Sequence, residues 1–448
     1  MYLKSFTEKI RNAGLHEIVE DAFSHYYEQV VAGATGKLGE DFIMPPSEEN
    51  VIRYEQIELT EKPPLAKLAV IKLNGGLGTS MGLSKAKTLL NVKNDLNFLD
   101  IISKQVLYLR KQINKDIPLL FMHSFNTQKD CLSYLEKYPE LPIASVPLDF
   151  LQNKFPKIKA DDLSPFTADD DSKTWNPPGH GEIYMALAIT GTLDKLLKAG
   201  IEYAFLSNSD NLGSVVDEKI LGYFAQNNIP FMMEVCTRSE MDKKGGHLAQ
   251  TKDGHLILRE TAQCPADEKE FFEDVDRYKY FNTNNLWVNL KALKAKLDEN
   301  GNFLPLSLII NPKEVNGTKV YQLESAMGAA INVFDGSKAM VVNRNRFAPV
   351  KKTNELLAIR SDAFEIAEDY HLRLSKSLAE IPVISLDERY YKLVDDFEAR
   401  FAEGIPSLIE CERFELEGDV YFAKNVKIVG NVQFSAEKTT KLHDCILR

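Results

Sequence analysis

The chain has 448 residues, of which 44% are hydrophobic and 27% charged, an ordinary globular composition that excludes a disordered or fibrous protein. Its 54 Lys and Arg against 65 Asp and Glu leave a net charge of −11, so no overall field draws it to nucleic acid or to an anionic membrane, and any phosphate it binds must meet positive charge at a few local points. No apolar run approaches the ~18 residues that would span a bilayer, the first ten residues hold no signal-peptide core, and five scattered Cys without a Cys-x-x-Cys pair read as reduced thiols of a cytoplasmic protein.

Residues 5–33 carry Phe6, Ile10, Leu15, Ile18 and Val19 at helical spacing and read as one amphipathic helix. Residues 34–60 have little periodicity and include Pro45-Pro46, which predicts a linker or surface wrap. Leu65 to Leu73 reads as a buried strand that runs straight into a glycine-rich loop. Phe98, Ile101, Ile102, Leu109 and Ile113 then mark a helix over 98–113, and Pro118 to Met122 the next strand. Strand, loop, helix and strand predict a doubly wound α/β sheet. The rhythm continues with a helix from Ile183 to Ala199 that Gly200 could end, and with strands at Tyr203–Leu206, Phe231–Val235 and Met340–Val342.

The tail changes character. Apolar pairs fall six residues apart at Phe414/Leu416, Val420/Phe422, Val426/Ile428 and Val432/Phe434, with Gly418 and Gly430 between them. A six-residue period of inward apolar side chains predicts a β-helix of hexapeptide turns, the alternative being a meander of short strands. The stretch is short for a solenoid, so it would end in a cap or at an interface. The expected organisation is a helical segment and wrap over 1–60, a nucleotide- and sugar-binding α/β domain over 61–370, and a helix, linker and β-helix over 371–448.

The most informative segment is Lys72-Leu-Asn-Gly-Gly-Leu-Gly-Thr-Ser-Met-Gly-Leu-Ser-Lys-Ala-Lys-Thr88. Glycines directly after a strand let backbone N–H groups approach a phosphate. The P-loop pattern fails because Leu83 follows Gly82, and the dinucleotide fingerprint fails at Met81, which argues against a dehydrogenase. What remains is a glycine-rich loop with Lys85 and Lys87 downstream, or else a tight turn bearing surface lysines.

Leu73 to Gly82, with Lys87 five residues later, closely resembles the nucleotide loop of the UTP–glucose-1-phosphate uridylyltransferase family. Four further segments resemble the family in its own order: Asn176-Pro-Pro-Gly-His-Gly-Glu-Ile-Tyr184, Ser207-Asn-Ser-Asp-Asn-Leu-Gly213, Phe281-Asn-Thr-Asn-Asn-Leu-Trp287 and Phe347-Ala-Pro-Val-Lys-Lys-Thr353. The resemblance covers about 65–360 and extends to the tail from Ile384 to Phe434. It implies a central mixed, mostly parallel sheet of the nucleotide-diphospho-sugar transferase type, an N-terminal helical segment and a C-terminal left-handed β-helix.

The reaction so implied joins UTP and glucose 1-phosphate into UDP-glucose and pyrophosphate, by in-line attack of a sugar-phosphate oxygen on the α-phosphorus. The attacking phosphate has its second pKa near ~6 and is largely ionised at neutral pH, so neither a general base nor a covalent nucleophile is required. The site must neutralise and align crowded anions. The resemblance assigns the UTP phosphates to Lys87 and the α-phosphate to Lys351, with the adjacent Lys352 a competitor in register. It implies nucleotide contacts from Leu73, Asn74, Gly75, Gly76, Gln152, Gly179, Asn208, Ser209 and Asp210, with Gln152 on the uracil edge. Sugar-phosphate contacts fall to His180, Gly246, Asn284 and Glu324. Asp210, after a strand, becomes the ligand of Mg²⁺, an ion that usually takes one or two carboxylates beside phosphate oxygens and water.

Taken alone, each lysine reads as a surface charge, Asp210 as a helix N-cap, His180 as a turn histidine and Gln152 as a surface glutamine. Trp287 reads as core, and no His/Cys cluster has zinc spacing. One departure stands out. Family members from eukaryotes commonly read M-G-x-K-G-P-K where this chain has Met81-Gly-Leu-Ser-Lys-Ala-Lys87, which looks like a bacterial branch, keeps Lys87 in register and leaves the role of Lys85 open. The rival readings are the same chemistry on N-acetylhexosamine 1-phosphate or galactose 1-phosphate, and a non-catalytic UDP-sugar-binding protein. Neither nucleic acid nor a membrane is expected as partner; the β-helix would either seat a second copy or simply cap the fold, and the sequence does not give the oligomeric state.

Overall fold

In this computed structural model, which describes residues 2–448, an eleven-stranded mixed sheet forms the centre of the described chain. Across it run Val51–Arg53, Lys338–Val341, Phe231–Thr237, Tyr280–Asn289, Tyr203–Asn208, Leu68–Asn74, Leu119–His123 and Asp149–Leu151. Neighbours along this path are parallel, except that Tyr280–Asn289 is antiparallel to the strand on each side. Ile43–Met44, His247–Thr251 and Leu256–Arg259 attach as an antiparallel extension.

The apolar run Leu68-Ala-Val-Ile is buried throughout, as a parallel strand covered on both faces requires. Lys72 interrupts it. Its ammonium is buried and donates to Ser207 Oγ at 2.7 Å and to the Ser214 carbonyl at 2.9 Å, and burial lowers its pKa to about 7. Leu68–Asn74, Tyr203–Asn208, Leu119–His123 and Asp149–Leu151 all point the same way, so their C-terminal ends share one edge, where open α/β sheets place their ligands. The helix Phe98–Ile113 has the bounds its periodicity predicts, because Asn97 and Asp100 cap each other's backbone at its start.

Three expectations need correction. The helix over 5–33 is two helices, Leu3–Asn12 and Glu17–Val31, because His16 caps the second with Nδ1 accepting from Ile18 N–H. The helix over 183–199 is also two, Ile183–Ile189 and Thr192–Lys198, broken where Gly191 turns left-handed at φ 64°. The segment 34–60 is more than a wrap, since Val51–Arg53 forms the edge strand beside Lys338–Val341 and Ile43–Met44 pairs with His247–Thr251.

The N-terminal helices pack Phe6, Phe23 and Tyr27 together, with Phe23 against Phe155. In the tail, Val383–Leu386, Ser407–Glu417, Val426–Ser435 and Cys445–Leu447 form one parallel sheet, and Val420–Phe422 with Thr440–Leu442 a second, separate one. Phe414, Leu416, Val420, Phe422, Val426, Ile428 and Val432 are buried between them, in an apolar cluster that also takes in Met81 of the glycine-rich loop with Leu212 and Val350.

Candidate active site

The glycine-rich loop is tied down at both ends. The Asn74 carbonyl accepts from Thr127 Oγ1 at 2.7 Å, and Asn74 Oδ1 accepts from Thr88 Oγ1 at 2.8 Å. Within it, Lys87 N–H donates to the Gly76 carbonyl at 3.1 Å, and Ser124 Oγ donates to the Gly75 carbonyl at 2.9 Å. A Cβ built at Gly76 would meet nothing within 4 Å, so the loop opens onto free space there. Across the edge, Ser209 N–H donates to the Leu73 carbonyl at 3.1 Å, which brings the Asn208-Ser209-Asp210 turn against the loop.

Three charges converge on that turn. Lys87 Nζ lies 2.7 Å and Lys351 Nζ 3.1 Å from the same oxygen, Asp210 Oδ2. Lys87 is enclosed, with 12% of its side chain exposed, whereas Lys351 reaches in from solvent with 58% exposed. Burial opposes ionisation of Asp210, but Lys351 and Lys87 outweigh it and hold the carboxyl below its ordinary range. Asp210 Oδ1 and Ser209 Oγ are buried without a hydrogen-bond partner. An orphaned carboxylate oxygen beside the glycine-rich loop fits a divalent cation. Among the described residues no three His, Cys, Asp or Glu side chains gather to hold a metal alone. Asp210 therefore offers a single carboxylate, the donor set of an ion that takes its other ligands from phosphates and water.

Gln152 joins the loop to the histidine turn. Its Nε2 donates to the Gly179 carbonyl at 3.0 Å, and its Oε1 would lie 3.2 Å from a Cβ built at Gly75. Gly179 sits at φ 80°, and a Cβ there would come within 2.3 Å of the Ser325 carbonyl oxygen, so only glycine fits. This close packing lets Gly181 N–H reach the Ser325 carbonyl at 2.9 Å and Met327 N–H donate to His180 Nδ1 at 3.0 Å. An Nδ1 that accepts places the ring proton on Nε2. Burial, with the Lys351 charge, lowers the His180 pKa to about 4, so the imidazole is a neutral Nε2–H donor at physiological pH.

The residues expected on the sugar side form one chain of contacts from His180. A Cβ built at Gly328, next to Met327, would lie 2.9 Å from Asn282 Nδ2, which itself donates to Asn284 Oδ1 at 3.0 Å. Asn282 N–H donates to the Gly246 carbonyl at 3.2 Å. Asn284 is held at φ 58° in the bulge where Phe231–Thr237 and Tyr280–Asn289 shift register. Glu324, beside Gly179, accepts from Asn311 Nδ2 at 3.1 Å, and burial raises its pKa. Lys85 is exposed, and Trp287 is fully buried.

Sequence reasoning missed a second layer. Asn211, Glu234, Asn285 and Arg346 form a buried network directly behind Asp210. The available signal was Glu234, a lone charge inside the apolar strand Phe231-Met-Met-Glu-Val.

A family model described as UTP–glucose-1-phosphate uridylyltransferase matches residues 20–429. The chain is 39% identical over 456 residues to the UTP–glucose-1-phosphate uridylyltransferase of Solanum tuberosum, covering 97% of this chain and 94% of that one. It is 40% identical over 403 residues to the Saccharomyces cerevisiae protein of the same description, covering 88% and 79%. Its fold superimposes with TM-score 0.92, at 40% identity over 99% of this chain and 98% of the other, on a point mutant of Leishmania major UDP-glucose pyrophosphorylase solved in complex with UDP-glucose. These relatives are eukaryotic and lend nothing to the bacterial-branch reading of Ser84-Lys85-Ala86.

Proposed function

The chain belongs to the UTP–glucose-1-phosphate uridylyltransferase family, and on that premise we propose how its site makes UDP-glucose and pyrophosphate from UTP and glucose 1-phosphate. The carrying observation is the convergence of Lys87 and Lys351 on one oxygen of Asp210 while the other oxygen stays buried and unpartnered. Both ammonium groups are held ready beside the loop, and a triphosphate arriving there exchanges one carboxylate for several phosphate oxygens. Mg²⁺ bound through Asp210 would supply charge neutralisation between carboxylate and phosphates.

The glycine-rich loop and Lys87 hold the UTP phosphates. Gln152 and Gly179 line the base side, and Asn208 and Ser209 the turn between. His180 donates its Nε2 proton to a sugar-phosphate oxygen. Being neutral, it orients that nucleophile without drawing off its charge. Gly246, Asn284 and Glu324 bound the sugar. An oxygen of the sugar phosphate forms a bond to the α-phosphorus in line as the bond to the β-phosphate bridging oxygen breaks. Pyrophosphate leaves with that electron pair. No proton need move, and Lys351 meets the negative charge building on the α-phosphoryl oxygens.

Glucose 1-phosphate is preferred over N-acetylhexosamine and galactose 1-phosphates in this reading because the Asn282–Asn284 bulge closes tightly against Gly246 and Gly328. The tail is read as a left-handed β-helix, since Phe414 pairs with Val432 and Leu416 with Phe434, three six-residue units along. Its last strand leaves Ile446 53% exposed, a surface for a second copy. The compartment is read as cytoplasmic; among the described residues no helix is long and apolar enough to cross a membrane.

The test is pyrophosphate release from UTP with each sugar 1-phosphate in turn, with and without Mg²⁺. Release is expected with glucose 1-phosphate and Mg²⁺, and its absence there would refute the reading. Sedimentation of wild type against Ile446→Asp tests the interface, and two identical monomeric masses would remove it.

A further inference from the structure

Lys351 is mostly solvent-exposed, and an exposed ion pair to Asp210 holds a long loop side chain only weakly. What holds it is its backbone. The Val350 N–H donates to the Asp210 carbonyl at 3.1 Å, and the Ala348 N–H donates to Asn211 Oδ1 at 2.9 Å. Asn211 Nδ2 donates in turn to the Arg346 carbonyl at 3.1 Å. The groups at 346, 348 and 350 are thus bound in succession to the turn that carries Asp210. The approach is tight: a Cβ built at Gly213 would lie 2.4 Å from the Asn345 carbonyl oxygen.

Behind this seam lies a buried ion pair. Arg346 donates through Nε and Nη2 to the two oxygens of Glu234 at 2.7 and 2.6 Å. Asn285 Nδ2 and Trp287 Nε1 complete the carboxylate at 3.0 and 2.9 Å, and Glu234 is 0% exposed. Burial works against the Arg346 charge, yet Glu234 outweighs it and raises the Arg346 pKa, so the guanidinium keeps its charge. Glu234 and Asn285 lie on adjacent strands of the central sheet, so the pair anchors the loop to that sheet.

We propose that Glu234, Arg346 and Asn211 are positioning residues for the reaction, acting only through Lys351 by fixing the 346–350 backbone against the Asp210 turn. This deepens the reading above and rests on Lys351 being a phosphate ligand. A fixed backbone limits the region the ammonium must search, and misplacement by about 1 Å can cost on the order of 100-fold in rate. The substrates are bound chiefly elsewhere, so the loss should fall on kcat.

The test is a double-mutant cycle in the full-length protein, read as kcat and KM for both substrates alongside the thermal midpoint. Asn211→Ser and Glu234→Gln should each lower kcat about 10- to 100-fold, with each KM within about threefold. In a Lys351→Ala background, Asn211→Ser should change kcat by less than about twofold, because the side chain it positions is gone. A role in folding alone would not show that loss of effect. Equal losses from Asn211→Ser in both backgrounds, or no loss in wild type, would overturn the inference while the role of Lys351 stands. An unchanged kcat in Lys351→Ala would overturn both. Should Glu234→Gln fail to fold, Asn211→Ser decides.

Discussion

Glu234 and Asp210 are two carboxylates of one site region, and the fold treats them oppositely. Glu234 is fully buried, and its two oxygens take four donors from Arg346, Asn285 and Trp287. Asp210 carries two lysines on Oδ2 and nothing on Oδ1. A carboxylate whose capacity is filled by the protein can only fix structure. One with a buried, unfilled oxygen must take a ligand or keep a proton, because an ionised buried acceptor without a partner costs stability. The difference separates scaffold from chemistry more sharply than burial does, since both groups are mostly enclosed.

The largest effect should come from breaking the filled pair. Glu234→Ala takes from buried Arg346 its close two-pronged partner and leaves it the Val215 carbonyl at 2.9 Å and Asp217 at 3.9 Å, and breaking a buried pair in this way typically costs about 3–5 kcal/mol of folding stability. Urea unfolding should show it as a lower midpoint, and a loss below about 1 kcal/mol would mean the pair is not what holds this corner. Asp210→Asn should do the reverse. It gives up the stability that a carboxyl held below its ordinary range contributes at neutral pH, but its larger effect falls on the reaction: kcat falls on the order of 100-fold or more and the dependence of rate on Mg²⁺ concentration weakens. An Asn variant with a wild-type Mg²⁺ titration would remove Asp210 as the cation's ligand.

A third carboxylate sharpens the contrast. Glu182 is 3% exposed, takes its donors from Asn153, whose Nδ2 lies 2.5 Å from Oε1, and leaves Oε2 unpartnered. Burial raises its pKa to about 8 despite Asn153. The sign follows. Between the ordinary value of 4.5 and about 8, the folded protein keeps the proton that the unfolded chain releases, so this group's contribution to stability is lost as pH rises through that window. His180 acts in the opposite sense, but only between about 4 and its ordinary 6.5, where stability rises with pH. Glu182→Gln mimics the protonated acid and should flatten the fall above pH ~6.5. Thermal midpoints of the two proteins that run parallel from there to pH ~8 would show that Glu182 is already ionised in the fold.

The filled and the unfilled carboxylate were unequally legible in the sequence. Lys87 lies in a contiguous segment whose glycines directly after a strand suggest a phosphate loop, whereas Asp210 alone reads as a helix N-cap and stands out only through the family resemblance of its segment. Phe98–Ile113 was legible too, because its apolar spacing and its Asn97/Asp100 cap are local. The partners of Glu234 lie in two distant segments, Asn285 and Trp287 on one strand and Arg346 on a loop, and no local pattern pairs Glu234 with Arg346 across 112 residues. The break between Leu3–Asn12 and Glu17–Val31 was hidden for a different reason. Phe6, Ile10, Ile18 and Val19 are all buried on both sides of it, so the interruption left the apolar pattern readable as one helix. Val51–Arg53 is too short for any period to show, and its pairing with Lys338–Val341 is wholly non-local.

The smallest expected effect decides between neighbouring lysines. Lys352 follows Lys351 and could have been the phosphate ligand by sequence alone. Its ammonium instead lies 2.7 Å from Glu388, and both side chains are more than half exposed, at 62% and 61%. An ion pair so open to water is screened and adds little to stability. It also points Lys352 at the short helix Glu388–Tyr391, while Lys351 lies on Asp210. Lys352→Ala should therefore leave kcat within about twofold and the thermal midpoint unmoved, where Lys351→Ala lowers kcat on the order of 100- to 1,000-fold. The comparison needs only steady-state pyrophosphate release by the two variants. If Lys352→Ala were the crippled one, the 346–350 backbone would have to rotate during the reaction. The seam from Asn211 to Ala348 would then open rather than hold.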